Sequence, residues 1–159
     1  MASSSIALQG GDQVIKLLKE LKSVPKQDKN KVINKAMRKG GGIMLKKAKQ
    51  TLDAAIAING DESLGLTKKN LKLRKKSGRK AKANFHYTIG VGNKKYPSGK
   101  KGATTRLNAA RLEYGTSKQP ATPWLRPAFN ETKEEVVSTI MSELVVGLEQ
   151  LANNTVRGG

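Results

Sequence analysis

Between Glu62 and Glu113 the chain carries no carboxylate, yet it holds Lys68, Lys69, Lys72, Arg74, Lys75, Lys76, Arg79, Lys80, Lys82, Lys94, Lys95, Lys100, Lys101, Arg106 and Arg111. Ammonium and guanidinium groups at this density have one chemistry in common, the electrostatic and hydrogen-bonding capture of a polyanion. They bind charge and break no bonds. The whole chain repeats the bias, with 31 Lys plus Arg against 12 Asp plus Glu and a formal net charge of +19 in 159 residues. The candidate nucleic-acid contacts are the residues of the two densest runs, Lys68, Lys69, Lys72, Arg74, Lys75, Lys76, Arg79, Lys80 and Lys82, then Lys94, Lys95, Lys100 and Lys101. A solvated loop that only aids solubility, or a surface for acidic proteins, would produce the same composition. By contrast, the C-terminal region is acidic, with Glu131, Glu134, Glu135, Glu143 and Glu149 around Lys133.

Residues that could do covalent or metal chemistry are scarce. There is no Cys, so thiolate ligands and disulfides are absent, and His86 is the single histidine. The adjacent carboxylates, Asp61-Glu62 and Glu134-Glu135, are sequence neighbours and do not suggest a cleft. Gly90-Val91-Gly92-Asn93 lacks the spacing and the Lys-Ser/Thr ending of a phosphate-binding loop. We therefore expect no enzyme activity, no metal and no cofactor. Nor is there a run near the ~18 apolar residues of a membrane span, or a secretory leader at the N-terminus, so a soluble protein is expected.

The densest pattern of backbone demands lies at residues 111–129, RLEYGTSKQPATPWLRPAF. Gly115 follows an aromatic residue and supplies a positive φ or a close backbone approach. Pro120 and Pro123 drive Gln119 and Thr122 toward extended conformations, which stiffens the segment. Pro127 belongs in the first turn of a helix that starts near Trp124, where its missing N–H leaves no gap. Two roles stand for Trp124, an internal anchor at the sheet–helix junction or burial at a subunit interface. Arg126 likewise pairs with Glu113 or reaches a neighbouring subunit.

This segment, Glu-aromatic-Gly-Thr followed by Pro-aromatic-Leu-Arg-Pro and a final helix, resembles the neck, tail-completion and minor tail-component proteins of long-tailed bacteriophages. The likeness runs from the second helix to the end of the chain, and its specific part is residues 113–129. It implies a non-enzymatic virion protein at the junction of head and tail, assembled in the bacterial cytoplasm as a homo-oligomer, with a hexameric ring expected. Its partners would be the head–tail connector, tail terminator or tail tube proteins and, without sequence preference, the phage DNA. Under this reading Glu113, Tyr114, Gly115, Thr116, Pro123, Trp124, Leu125, Arg126 and Pro127 are the candidate subunit interface, and the lysine-rich loops face the DNA channel.

The elements that must position these residues follow from apolar periodicity. Residues 1–24 hold a short helix capped by Asp12, with Val14, Ile15, Leu17, Leu18 and Leu21 at helical spacing, ended by Pro25. Residues 25–58 hold a long helix with Val32, Ile33, Ala36, Met37, Gly40, Met44, Ala48, Leu52 and Ala55 on one side. Gly40-Gly41-Gly42 in its middle marks a close helix contact or a kink, each Gly costing up to about 1 kcal/mol against Ala; a continuous helix is favoured over a break. Residues 59–83 read as a basic loop. In residues 84–118, Phe85, Tyr87, Ile89 and Val91 alternate with polar residues or glycine as a half-buried strand does. A basic hairpin loop follows, and residues 105–114 return as the partner strand, although Leu107 to Leu112 also has helix propensity. Residues 119–152 form the Pro-rich linker and a C-terminal helix striped with Val137, Ile140, Met141, Leu144, Val145, Leu148 and Leu151, and residues 153–159 a fraying tail.

The expected fold is one α+β domain, a small antiparallel sheet flanked by long helices with extended basic loops. So small a sheet leaves edges that need a partner or charge, which predicts oligomerisation on physical grounds. The competing functional class is a cellular, sequence-independent nucleic-acid-binding protein of ribosomal or nucleoid type, consistent with a pI near 10.3. Against it, the basic runs lack interleaved aromatics for base stacking.

Overall fold

A computed structural model describes residues 11–59, 65–77, 85–97 and 103–157. The architecture is α+β and mostly helical: α1 (Gly11–Glu20), α2 (Lys26–Asn59), α3 (Leu66–Lys69), β1 (Leu71–Lys75), β2 (Tyr87–Val91), α4 (Thr105–Tyr114) and α5 (Leu125–Arg157). The strands form one antiparallel sheet in which Leu71 lies opposite Val91 and Lys75 opposite Tyr87. The described residues fall into two compact units, those within 1–40 and 134–159 and those within 41–133.

In the first unit, Val14, Leu21, Val24 and Leu148 are buried together, with Leu17, Leu18, Val32, Met141, Leu144, Val145 and Leu151 packed around them. Burial of each such side chain contributes about 1.5–3 kcal/mol. Asp12 lies within the first turn of α1 and not at its cap, and Lys19 in the last turn, both placed favourably for the helix dipole. Pro25 ends that segment and its carbonyl accepts from Asp28 N at 3.0 Å, opening α2. The Lys29 ammonium then reaches back to the Leu21 carbonyl at 2.9 Å, satisfying an acceptor just beyond the end of α1.

Two glycines let helices approach in this unit. A Cβ on Gly147 of α5 would stand 2.5 Å from Val32 Cγ1, and one on Gly40 of α2 would stand 2.4 Å from Ile140 Cγ1. The pairs 32/147 and 40/140 run in opposite senses, so these parts of α2 and α5 are antiparallel, each giving a glycine to the other's β-branched residue. An ion pair between Lys39 and Glu143 flanks the contact.

In the second unit, Ala48, Leu52, Ala55, Leu71, Ala109, Leu112, Trp124 and Ala128 make one buried cluster. Alternation along β1 turns Leu71 and Leu73 to this side and Lys72 and Arg74 away from it. Leu73 lies over Gly41, its Cδ2 2.8 Å from where a Cβ would be. The glycine triplet is thus helical throughout, and its first two members are sites of close approach.

Three sequence expectations are corrected. The loop assigned to 59–83 contains α3 and β1, because Leu71-Lys72-Leu73-Arg74 alternates as a strand does and Lys72 and Arg74 take the solvent face. The segment 105–114 is helix and not the partner strand: Thr104 caps it, accepting from Leu107 N at 3.3 Å, and Ala109 and Leu112 face the core. The fraying tail is helical as far as Arg157.

Candidate nucleic-acid interface

Of the sequence-predicted cations, Lys69, Lys72, Arg74, Lys75, Lys94 and Lys95 are exposed, and Lys68 and Lys76 half-buried. Arg79, Lys80, Lys82, Lys100 and Lys101 lie outside the described residues. Lys68, on α3, pairs with Asp53 of α2 and is partly neutralised. Lys75 sits over the Phe85 ring, 5.4 Å from its centroid, a cation–π contact that holds the ammonium near the sheet. Arg74 and Lys76 have no carboxylate within ion-pair distance among the described residues.

Buried threonines fix the elements that carry these cations. Thr67, fully buried on α3, meets the Tyr96 hydroxyl at 2.9 Å, and the Asn108 amide of α4 reaches its hydroxyl at 3.4 Å. Thr105 donates to the Gly92 carbonyl and accepts from Lys94 N at 3.0 Å, while its own N–H bonds the Lys94 carbonyl at 2.8 Å. The start of the Lys94–Lys95 loop is therefore pinned to the first turn of α4.

The aromatic–Gly–Thr segment resolves into a lock between α4 and α5. Glu113, in the last turn of α4, is buried, and its carboxylate accepts the backbone N–H groups of Trp124 at 2.7 Å, Leu125 at 2.8 Å and Arg126 at 3.2 Å. The next residue is Pro127, which has no N–H, so the first turn of α5 has no orphan donor. An anion at the C-terminus of α4 opposes that helix's dipole, but this one points at the positive end of α5. Trp124 fills the space beneath, with its indole N–H donating to the Ala109 carbonyl at 3.0 Å. Thr51 Oγ1 donates to the Trp124 carbonyl at 2.7 Å and ties the junction to α2.

Gly115 makes the return of the chain possible. Its φ is +74°, and a Cβ there would meet Ala121 N at 2.7 Å and Gln119 O at 3.0 Å, both backbone. The tight turn 116–119 follows, with Thr116 N bonding Gln119 O at 2.8 Å, and Thr122 N closes onto Leu112 O at 2.8 Å.

Among the candidate interface residues, Glu113 and Trp124 are thus engaged inside the chain, which is the anchoring role for Trp124, made at a helix–helix junction. Arg126 meets Glu113 through its backbone N–H. Gly115, Leu125 and Pro127 are half-buried, whereas Tyr114, Thr116, Pro123 and Arg126 are exposed. Sequence reasoning left Arg106 out of the candidate site because it lies outside the two densest basic runs; the Thr104 cap before a Leu-Asn-Ala-Ala-Arg-Leu run was the signal that places it on a helix. No group of three or more His, Asp or Glu side chains suited to a metal exists among the described residues, and no described helix is long and apolar enough to cross a membrane. No protein-family model, curated protein or solved structure matches the chain.

Proposed function

We propose that the protein is a structural component of the virion of a long-tailed bacteriophage, a neck or tail-completion subunit that helps join head to tail. It acts by assembly and not by catalysis, as a homo-oligomer, a hexameric ring by analogy with the family it resembles, made in the bacterial host cytoplasm and retained in the particle. The observation that carries the reading is the α4–α5 lock: the residues of the phage-like segment are the ones whose side chains and φ angle the lock requires, Glu113, Gly115, Trp124 and Pro127. The lock leaves Tyr114, Thr116, Pro123 and Arg126 exposed for neighbouring subunits or for connector, terminator or tube proteins.

Two further features favour assembly with DNA nearby. Among the described residues the sheet has two strands, so each has an edge that no third described strand covers, and Tyr114 and Phe129 are exposed at 73% and 49%. Lys72, Arg74, Lys94 and Lys95 are exposed cations on the second unit, suited to the phosphate backbone of DNA in a channel, without base contacts. Native mass spectrometry of the protein, alone and with the head–tail proteins encoded beside it, tests this. A discrete ring, or a monomer that becomes one with those proteins, is expected. A monomer that ignores them and binds RNA or DNA tightly would overturn the proposal in favour of a cellular nucleic-acid-binding protein.

A further inference from the structure

Beside the α4–α5 lock, the second unit carries an open groove of about 320 Å³ with Arg74 from β1, Lys76 just beyond that strand, Arg106 from α4 and Tyr114 on its walls and Gly90 among its lining. None of the three cations has a carboxylate within ion-pair distance among the described residues. A Cβ on Gly90 would meet nothing within 4 Å, so the space in front of that backbone is empty. The Arg74 guanidinium lies over Gly92, within 2.8 Å of where a Cβ would be, with Nη2 3.5 Å from the Asn70 carbonyl. Glu113 also contributes to the lining, but its two oxygens already accept three backbone N–H groups at the start of α5, so its charge is compensated from within.

We propose that this groove is a seat for a backbone phosphate of DNA, the fixed contact about which the more peripheral lysines arrange. The proposal rests on the DNA-channel reading above and deepens it. Three cations line one concavity, and two of them are arginines, whose planar fork matches phosphate oxygens bidentately. The volume is at the lower end of the ~300–1,000 Å³ of small-molecule sites, the scale of a sugar–phosphate unit and not of a peptide. Alternation puts Lys72 on the same face as Arg74 and Lys76, giving cations about 6.6 Å apart along the strand direction. Tyr114, at the rim, provides an apolar wall for deoxyribose.

The test is duplex binding by fluorescence anisotropy over a KCl series, on the full chain. The R74Q/R106Q variant is compared with wild type and with K22Q/K26Q, which removes the same charge from exposed positions of the first unit. All four side chains are exposed, and thermal melts check the fold. Losing one seated phosphate lowers the slope of log K against log salt by about 0.9. We expect that loss, with about tenfold weaker binding, for R74Q/R106Q and a smaller effect for K22Q/K26Q. Equal effects of the two variants, or preference for free inorganic phosphate over duplex, would overturn the groove while leaving the virion-joint reading to its assembly test. Absence of duplex binding by the wild type would overturn the groove and the DNA-facing part of that reading together.

Discussion

Glu113 and Trp124, eleven residues apart in sequence, are joined by a 2.7 Å bond from the Trp124 backbone N–H to the Glu113 carboxylate. One side chain near the end of a helix thereby serves as the cap of the next. The loop between them is shaped to bring this about, by the positive φ of Gly115, the 116–119 turn and the Thr122 to Leu112 bond.

Replacing Glu113 tests the lock. Glu113→Ala leaves three backbone donors at the start of α5 without their acceptor and is expected to destabilise the protein by about 3–5 kcal/mol in urea denaturation, since hydrogen bonds to charged groups contribute about 1.5–3 kcal/mol each and do not add fully. Glu113→Gln keeps the shape, loses the charge and turns an amide toward donors, so a loss of about 2–3 kcal/mol is expected. A change below about 0.5 kcal/mol for Glu113→Ala would contradict the capping role.

Gly115 should be as sensitive for a different reason. Gly115→Ala combines a backbone conformation open essentially to glycine alone, φ +74° with ψ −176°, which costs a residue with a Cβ about 1–3 kcal/mol, with backbone atoms at 2.7 and 3.0 Å. A fall in melting temperature comparable with that of Glu113→Gln is expected. An unchanged melting curve would show that the loop relaxes freely.

The glycine triplet makes a prediction of opposite signs at near neighbours. A Cβ on Gly42 would meet nothing within 4 Å, so Gly42→Ala is expected to stabilise α2 by up to about 1 kcal/mol. Gly40→Ala must displace Ile140 and approaches the Val136 carbonyl at 3.0 Å, so a net loss of about 1–3 kcal/mol is expected. Thermal denaturation of the two variants side by side decides it, and the same sign for both would refute the packing described.

The long helices were legible in the sequence because their apolar stripes, Ala36 to Ala55 and Ile140 to Leu151, recur at helical spacing over many turns. Residues 71–75 were not, since a five-residue strand with Lys72, Arg74 and Lys75 among its leucines looks polar by composition even though it alternates. At 105–114 the helix propensity of Leu107 to Leu112 was visible but outweighed by the search for a partner to β2. The candidate site was half legible: the cations stand out as a charge run, but the convergence of Arg106 with Arg74 and Lys76 depends on tertiary packing. The role of Glu113 shows the same limit, because a distant acceptor for the N–H groups of α5 leaves no local pattern.

That this protein joins head to tail is tested most directly by inactivating its coding sequence in the genome that carries it and imaging the particles by electron microscopy. We predict DNA-filled heads and complete tails that remain separate and that join when purified protein is added. Joined, infectious particles in its absence would contradict the proposed role.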